Sequence, residues 1–218
     1  MTATRTSTGS KSVLVVLFAG AFVMGCAEML VVGLIDLIAA DLSVSVPAAG
    51  ALVTANALGL AVGGPLLTFL TMRLDRRVVL LTALAVFVAA NLLPALAADY
   101  GLFLGARVLI GAVQGVFIAA AMGTATSVVP AERSGRAMAV VISGFASASA
   151  FGLPLGTLLG QAVGWRGAFT AVVGVALLVL FAAVPLLPRV PAILSMQAGV
   201  RPVPRSRPAC SPSWASAR

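Results

Sequence analysis

Two ionisable side chains sit inside stretches that otherwise exclude charge. Glu28 and Arg107 each fall within a long apolar run. A charge at the centre of a membrane span costs about 2.5–3.5 kcal/mol on insertion scales, so such groups usually line an ion or substrate pathway. A carboxylate can take up and release a proton, and a nearby guanidinium favours its charged form. Gln114 follows Arg107 by seven residues and shares its helix face at about 20° offset, which makes it a candidate cavity group. Asn56 is a second cavity candidate, and Asp36, eight residues after Glu28 on a similar face, is a third candidate for proton coupling. Plainer readings stand beside these. Glu28 and Arg107 can form a static ion pair between two spans, Asp36 can be a solvated boundary acid, and Gln114, Asn56 and Asn91 can bridge helices. The chain has no His, and Cys26 and Cys210 lie in an apolar run and in the tail. Neither a metal site nor a disulfide is expected, no covalent cofactor chemistry is implied, and the chain does not read as an enzyme.

The elements that must position these residues are six apolar runs, at 13–35, 48–71, 78–97, 102–128, 137–161 and 168–187. Each reaches the ~20 residues that a helix needs to cross ~30 Å of hydrocarbon. At 61% hydrophobic and 9% charged residues, a soluble domain is excluded. The expected fold is an all-α membrane protein of six transmembrane helices. Glu28 lies beyond the middle of the first run and Arg107 before the middle of the fourth. Because these spans run in opposite directions, both charges fall in the same outer half, with depths agreeing within about 6 Å. Lys11 followed by an apolar run, with Val23-Met24-Gly25-Cys26 loosely like a lipoprotein cleavage box, offers a signal-peptide alternative. The run continues apolar to Ile35, and that length favours crossing.

Charge sets the expected orientation. Arg5, Lys11, Arg73, Arg76, Arg77, Arg133, Arg136, Arg189 and the tail arginines fall on one face of the weave, and Arg166 alone on the other. Both termini are therefore expected in the cytoplasm. One Lys against thirteen Arg, with abundant Ala, Val and Gly, points to a GC-rich bacterial genome, and so to a bacterial inner membrane. The +8 net charge is topological, and no nucleic-acid partner is expected. Residues 1–12 read as a disordered cytoplasmic lead, 13–188 as the six-helix bundle, and 189–218 as a disordered Arg/Pro-rich tail.

A faint internal repeat aligns 57–63 with 150–156 at an offset of 93 residues, bringing Arg73 onto Arg166. It joins an inward-running second span to an outward-running fifth, as an inverted three-plus-three repeat requires. Both segments carry Gly-xxx-Gly spacing for close helix approach. Pro154 removes a backbone hydrogen bond and predicts a kink. The turn Arg73-Leu74-Asp75-Arg76-Arg77 reads either as topogenic charge or as a gate latch whose bases meet the negative C-terminal ends of neighbouring helices.

Several segments together resemble the N-terminal half of the major facilitator superfamily, over residues 13–188. Glu28-Met-Leu-Val-Val-Gly33 with the following loop to Gly50 is similar to the first span of the drug:proton antiporter branch, near chloramphenicol exporters and arabinose-efflux-like proteins. Arg107-Val-Leu-Ile-Gly111-Ala-Val-Gln-Gly115 resembles the fourth-span motif whose arginine the family links to proton coupling. Pro130-Ala-Glu132-Arg133-Ser-Gly135-Arg136 resembles the loop before span five. Gly152-Leu-Pro154-Leu-Gly156 resembles the antiporter motif, and Gly164-Trp165-Arg166 the start of span six. Met72 and Asp75 depart from the family's usual loop between spans two and three. The resemblance implies proton-coupled efflux of a small hydrophobic drug, with the proton gradient as energy source, the lipid bilayer as surroundings, and a missing C-terminal half or a second copy as partner. A non-transporting fragment or helix-bundle partner, and an exporter of sugars or other metabolites, are the alternatives.

Overall fold

The computed structural model describes residues 4–96 and 99–187, and every element within them is a helix. The expected tail from 189 lies outside the described residues. Apolar runs this long have no water to bond in hydrocarbon, so they close their backbone hydrogen bonds within each helix. Helix α1 (Thr4–Gly33) forms span one and begins well inside the stretch expected to be an unstructured lead. Leu34 leaves helical geometry (φ −120°, ψ 16°), and a separate short helix α2 (Ile35–Asp41) follows.

Span two is composite: α3 (Val46–Leu58), a π-helical turn (Gly59–Gly63) and α4 (Gly64–Thr71). The Ser45 hydroxyl caps α3 by accepting from the Ala48 N–H at 3.3 Å. Span three is α5 (Arg76–Leu96) and span four is α6 (Tyr100–Ser127). Asp99 caps α6, its carboxylate accepting from the Leu102 N–H at 2.6 Å. After a 3-10 turn (Ala131–Arg133) come α7 (Ser134–Ser147), a second π-helical turn (Ala148–Gly152) and α8 (Leu153–Leu186).

The stretch Ala131–Leu186 is 56 residues long. Straight, it would run about 84 Å, far beyond the ~30 Å of a hydrocarbon core. It is two spans. Gly164 breaks it with φ 76° and ψ 163°, backbone that glycine adopts without penalty. Contacts prove the reversal. Gly144 packs on Phe18 and Ala21, Gly152 on Cys26, Gly156 on Leu30 and Gly160 on Leu34, so span five runs parallel to α1. Arg166 then meets Asp41 at one end of the bundle, while the Val184 carbonyl meets Arg77 at the other. Six crossings result, as the apolar runs predict.

The two π-helical turns correct the register of the repeat. They lie 89 residues apart, and each ends two residues before a proline, Pro65 in span two and Pro154 in span five. This register brings Arg77, not Arg73, onto Arg166. It differs by about one helical turn from the alignment of small residues. The irregularity expected at Pro154 is the wide turn just before it. Such a turn reorganises the ladder where the proline lacks an N–H.

Two apolar clusters hold the bundle. One centres on Leu17, Met24, Phe87 and Phe117, where spans one, three and four meet. The other, at the Asp41 end, contains Leu34, Ile38, Leu52, Phe103, Trp165 and Phe169. Phe103 stacks on Trp165 at 5.7 Å, and Phe169 meets both rings edge-on. Spans two and five keep large apolar side chains exposed, among them Leu66, Phe69, Leu155 and Leu158. Lipid solvates such faces without cost.

Candidate functional site

Spans one, two and four bring a polar cluster together inside the bundle. The close packing of spans two and four comes first. A Cβ on Gly111 would collide with the backbone of Asn56 and Leu60, one on Gly59 with the Val108 carbonyl, and one on Gly115 with Gly64. Glycines at these positions let the two backbones touch. That contact places Asn56 opposite Gln114. The Asn56 side-chain N–H donates to Gln114 Oε1 at 3.5 Å, and Gln114 Nε2 donates to Glu28 Oε2 at 3.0 Å. The result is a relay across three helices: Asn56 in span two, Gln114 in span four, Glu28 in span one.

Arg107 stands beside this relay without joining it. It is fully buried. Its Nε donates to the Leu52 carbonyl at 3.3 Å and one terminal nitrogen donates to the Ala27 carbonyl at 3.5 Å. The other terminal nitrogen is enclosed and unpartnered, as is the side-chain amide oxygen Oδ1 of Asn56. Glu28 and Arg107 form no salt bridge; among the described residues the ion pair is Arg166–Asp41. The predicted common depth is right, since Arg107 bonds the carbonyl next to Glu28 in sequence. The direct pairing is not: backbone carbonyls take the guanidinium donors.

The other candidates fall elsewhere. Asp36 is exposed in α2, beyond the break at Leu34, so it shares no helix face with Glu28. Asn56 and Gln114 are 1% exposed, packed between helices rather than lining an open cavity. Asn91 does not bridge helices; it donates to Phe87 in its own helix at 2.8 Å. An apolar cavity of about 280 Å³, lined by Leu67, Val79, Val86, Leu109 and Val113, lies between spans two, three and four.

At the opposite end from Asp41, Arg76 donates to the Gly123 carbonyl and Arg77 to the Val184 carbonyl at 2.6 Å. Both acceptors sit near the C-terminal ends of α6 and α8, where unpaired carbonyls and the helix dipole attract cations. Arg73 and Asp75 are exposed on the turn itself. Gly152 and Gly156 seat Cys26 and Leu30 of span one, and Pro154 lies between them.

One arrangement lies outside what the sequence predicts. Asp41 accepts from the Trp165 indole N–H at 3.1 Å and pairs with Arg166 at 2.8 Å, while the Arg166 guanidinium lies 4.7 Å from the Trp165 ring centroid. A signal for it exists: Arg166 is the lone base in the connections that carry Asp36, Asp41 and Asp99.

An all-helical bundle of six apolar spans with a polar relay in its interior is the architecture of a multi-pass membrane protein. Residues 17–215 match the Major Facilitator Superfamily, and the chain belongs to that family. It is 38% identical over 161 residues to the inner membrane transport protein YdhP of Escherichia coli, covering 74% of this chain and 41% of that protein. It is 40% identical over 149 residues to a chloramphenicol resistance protein of Streptomyces lividans, covering 68% and 38%. Its fold superposes on the proton:xylose symporter XylE with a TM-score of 0.63 at 21% identity, covering 84% of this chain and 46% of that one. The chain thus spans less than half the length of the relatives it matches.

Proposed function

We propose that this chain is the N-terminal six-span unit of a proton-driven exporter of small hydrophobic drugs in the bacterial cytoplasmic membrane, with both termini on the cytoplasmic side. The observation that carries the reading is the Glu28–Gln114–Asn56 relay beside a fully buried arginine. Ionisable groups at this depth are costly and mark ion pathways. Likeness to a chloramphenicol resistance protein supports the cargo class.

The relay gives proton coupling a physical route. Glu28 is half-buried and so reachable by protons. As a carboxylate it accepts from Gln114; once protonated it becomes a donor and must reorient against the amide. That change alters the contact between spans one and four. A proton thereby favours one arrangement of the bundle by its differential affinity for the two. Arg76 and Arg77, bonded to helix ends of this same unit, brace its cytoplasmic end. Alternating access needs a second six-span unit to rock against, supplied by further chain or a second copy. No bond of the cargo is made or broken.

The test expresses residues 1–218, alone and joined to the second half of YdhP, in a drug-sensitive bacterium. The joined protein exports chloramphenicol and stops when the proton gradient is collapsed; export by the six-span chain alone would mean that a second copy supplies the other unit. Export that survives collapse of the gradient contradicts proton coupling. Export of sugars and not of drugs would move the cargo to the metabolite class.

A further inference from the structure

A second site lies at the Arg-rich end, away from the relay. The start of span one, the end of span four and the start of span five enclose a cleft of about 440 Å³. Its rim carries Lys11, Arg133 and Arg136, and its floor is apolar, with Leu14, Val128 and Val140. The walls are tied together, because the Ser10 hydroxyl donates to the Val128 carbonyl at 2.9 Å. Glu132 is the acid nearest in sequence, and it is exposed and not part of the lining.

We propose that this cleft binds an anionic phospholipid, its phosphate held by Lys11, Arg133 and Arg136 and the upper part of an acyl chain lying on Leu14, Val128 and Val140. Three cations from two segments far apart in sequence, Lys11 from one and Arg133 with Arg136 from the other, share one opening. Charges that served orientation alone would not need to share a cleft. Arginine forks match phosphate oxygens in pairs, and lysine adds a point charge. The floor decides the source of the phosphate. A free phosphate ion would leave apolar surface uncovered, whereas a phospholipid presents its charge and its hydrocarbon in the same order as rim and floor. Basic pockets between membrane helices at this level are suited to anionic headgroups.

The experiment uses the full chain, purified in nonionic detergent and stripped of lipid. Phosphatidylglycerol and phosphatidylcholine with identical acyl chains are added, and bound lipid is counted by native mass spectrometry. Phosphatidylglycerol should be retained over phosphatidylcholine by about tenfold or more. The variant Lys11→Ala/Arg133→Ala/Arg136→Ala should lose that preference. Because these residues are exposed, its thermal midpoint should stay near that of the parent; should it fall, Arg133→Gln/Arg136→Gln, which keeps most of the side-chain bulk, carries the same expectation. A charge-matched variant in the tail, Arg201→Ala/Arg205→Ala/Arg207→Ala, should keep the preference. Equal retention of both lipids, loss of preference only in the tail variant, or displacement of the lipid by excess inorganic phosphate would each overturn the proposal.

Discussion

Gln114, rather than Arg107, holds the Glu28 carboxylate: its amide nitrogen donates to Glu28 Oε2 at 3.0 Å, while Nε and one terminal nitrogen of Arg107 donate to the carbonyls of Leu52 and Ala27. The acid is thus tied to span four by a neutral group that can both give and accept a hydrogen bond. The buried arginine is fixed by backbone.

That arrangement predicts an unequal pair of double-mutant cycles. Gln114→Leu removes a donor from a charged acceptor and should destabilise the protein by about 1.5–3 kcal/mol. The Glu28–Gln114 cycle, built from Glu28→Gln and Gln114→Leu, should show coupling of about 0.5–3 kcal/mol, larger than that of the Glu28–Arg107 cycle. Denaturant unfolding in detergent measures both. Stronger coupling to Arg107 would restore the ion-pair reading.

Span two and span four touch through glycine, so Gly111→Val should force their backbones apart. Overpacking of this kind costs about 1–3 kcal/mol, and a clash with backbone lies at the upper end. Gly105, on the same helix, faces open space: a Cβ there would meet nothing within 4 Å, and Gly105→Val should be tolerated. The comparison is the amount of folded protein recovered from membranes. Equal recovery of the two variants would contradict the backbone contact.

The Asp41–Arg166 pair is predicted to matter little alone, because each side chain is 39% exposed. Such pairs contribute about 0–1 kcal/mol and are screened by salt. Asp41→Asn keeps an acceptor for the Trp165 indole and should shift the thermal midpoint only slightly. Asp41→Ala removes both partners and should lower it further. A loss in Asp41→Asn as large as in Asp41→Ala would place the stabilisation in the charge.

Topology supplies another check. Single cysteines at Asp41 and Arg166 should react with an impermeant thiol reagent from one side of the membrane, and those at Arg73 and Arg136 from the other. The charge distribution predicts that the first pair lies outside. Labelling of Asp41 and Arg166 from opposite sides would rule out the reversal at Gly164.

The sequence displays the six spans plainly, because an uninterrupted apolar run has only the helix available to it in lipid. It also shows that Glu28 and Arg107 share a depth, since rise per residue is fixed. Depth does not give lateral placement. The carbonyls that satisfy Arg107 are invisible to a reading of side chains, and Gln114 lies on the right face without its partner being evident. The break at Leu34, which separates Asp36 from the face of Glu28, is marked only by Gly33 before it, inside a run that stays apolar to Ile35. The repeat shifts by a turn between sequence and structure for a related reason: small residues match at many registers, whereas the π-helical turns before Pro65 and Pro154 fix one.

The most direct measurement of the central claim is drug uptake into inverted vesicles under an imposed pH gradient, using the transporter completed by a second six-span unit. Glu28→Gln should abolish gradient-driven uptake while leaving drug binding and gradient-independent exchange in place. Gradient-driven uptake by Glu28→Gln equal to that of the parent would contradict a proton-coupling role for Glu28 and leave the relay a purely structural element.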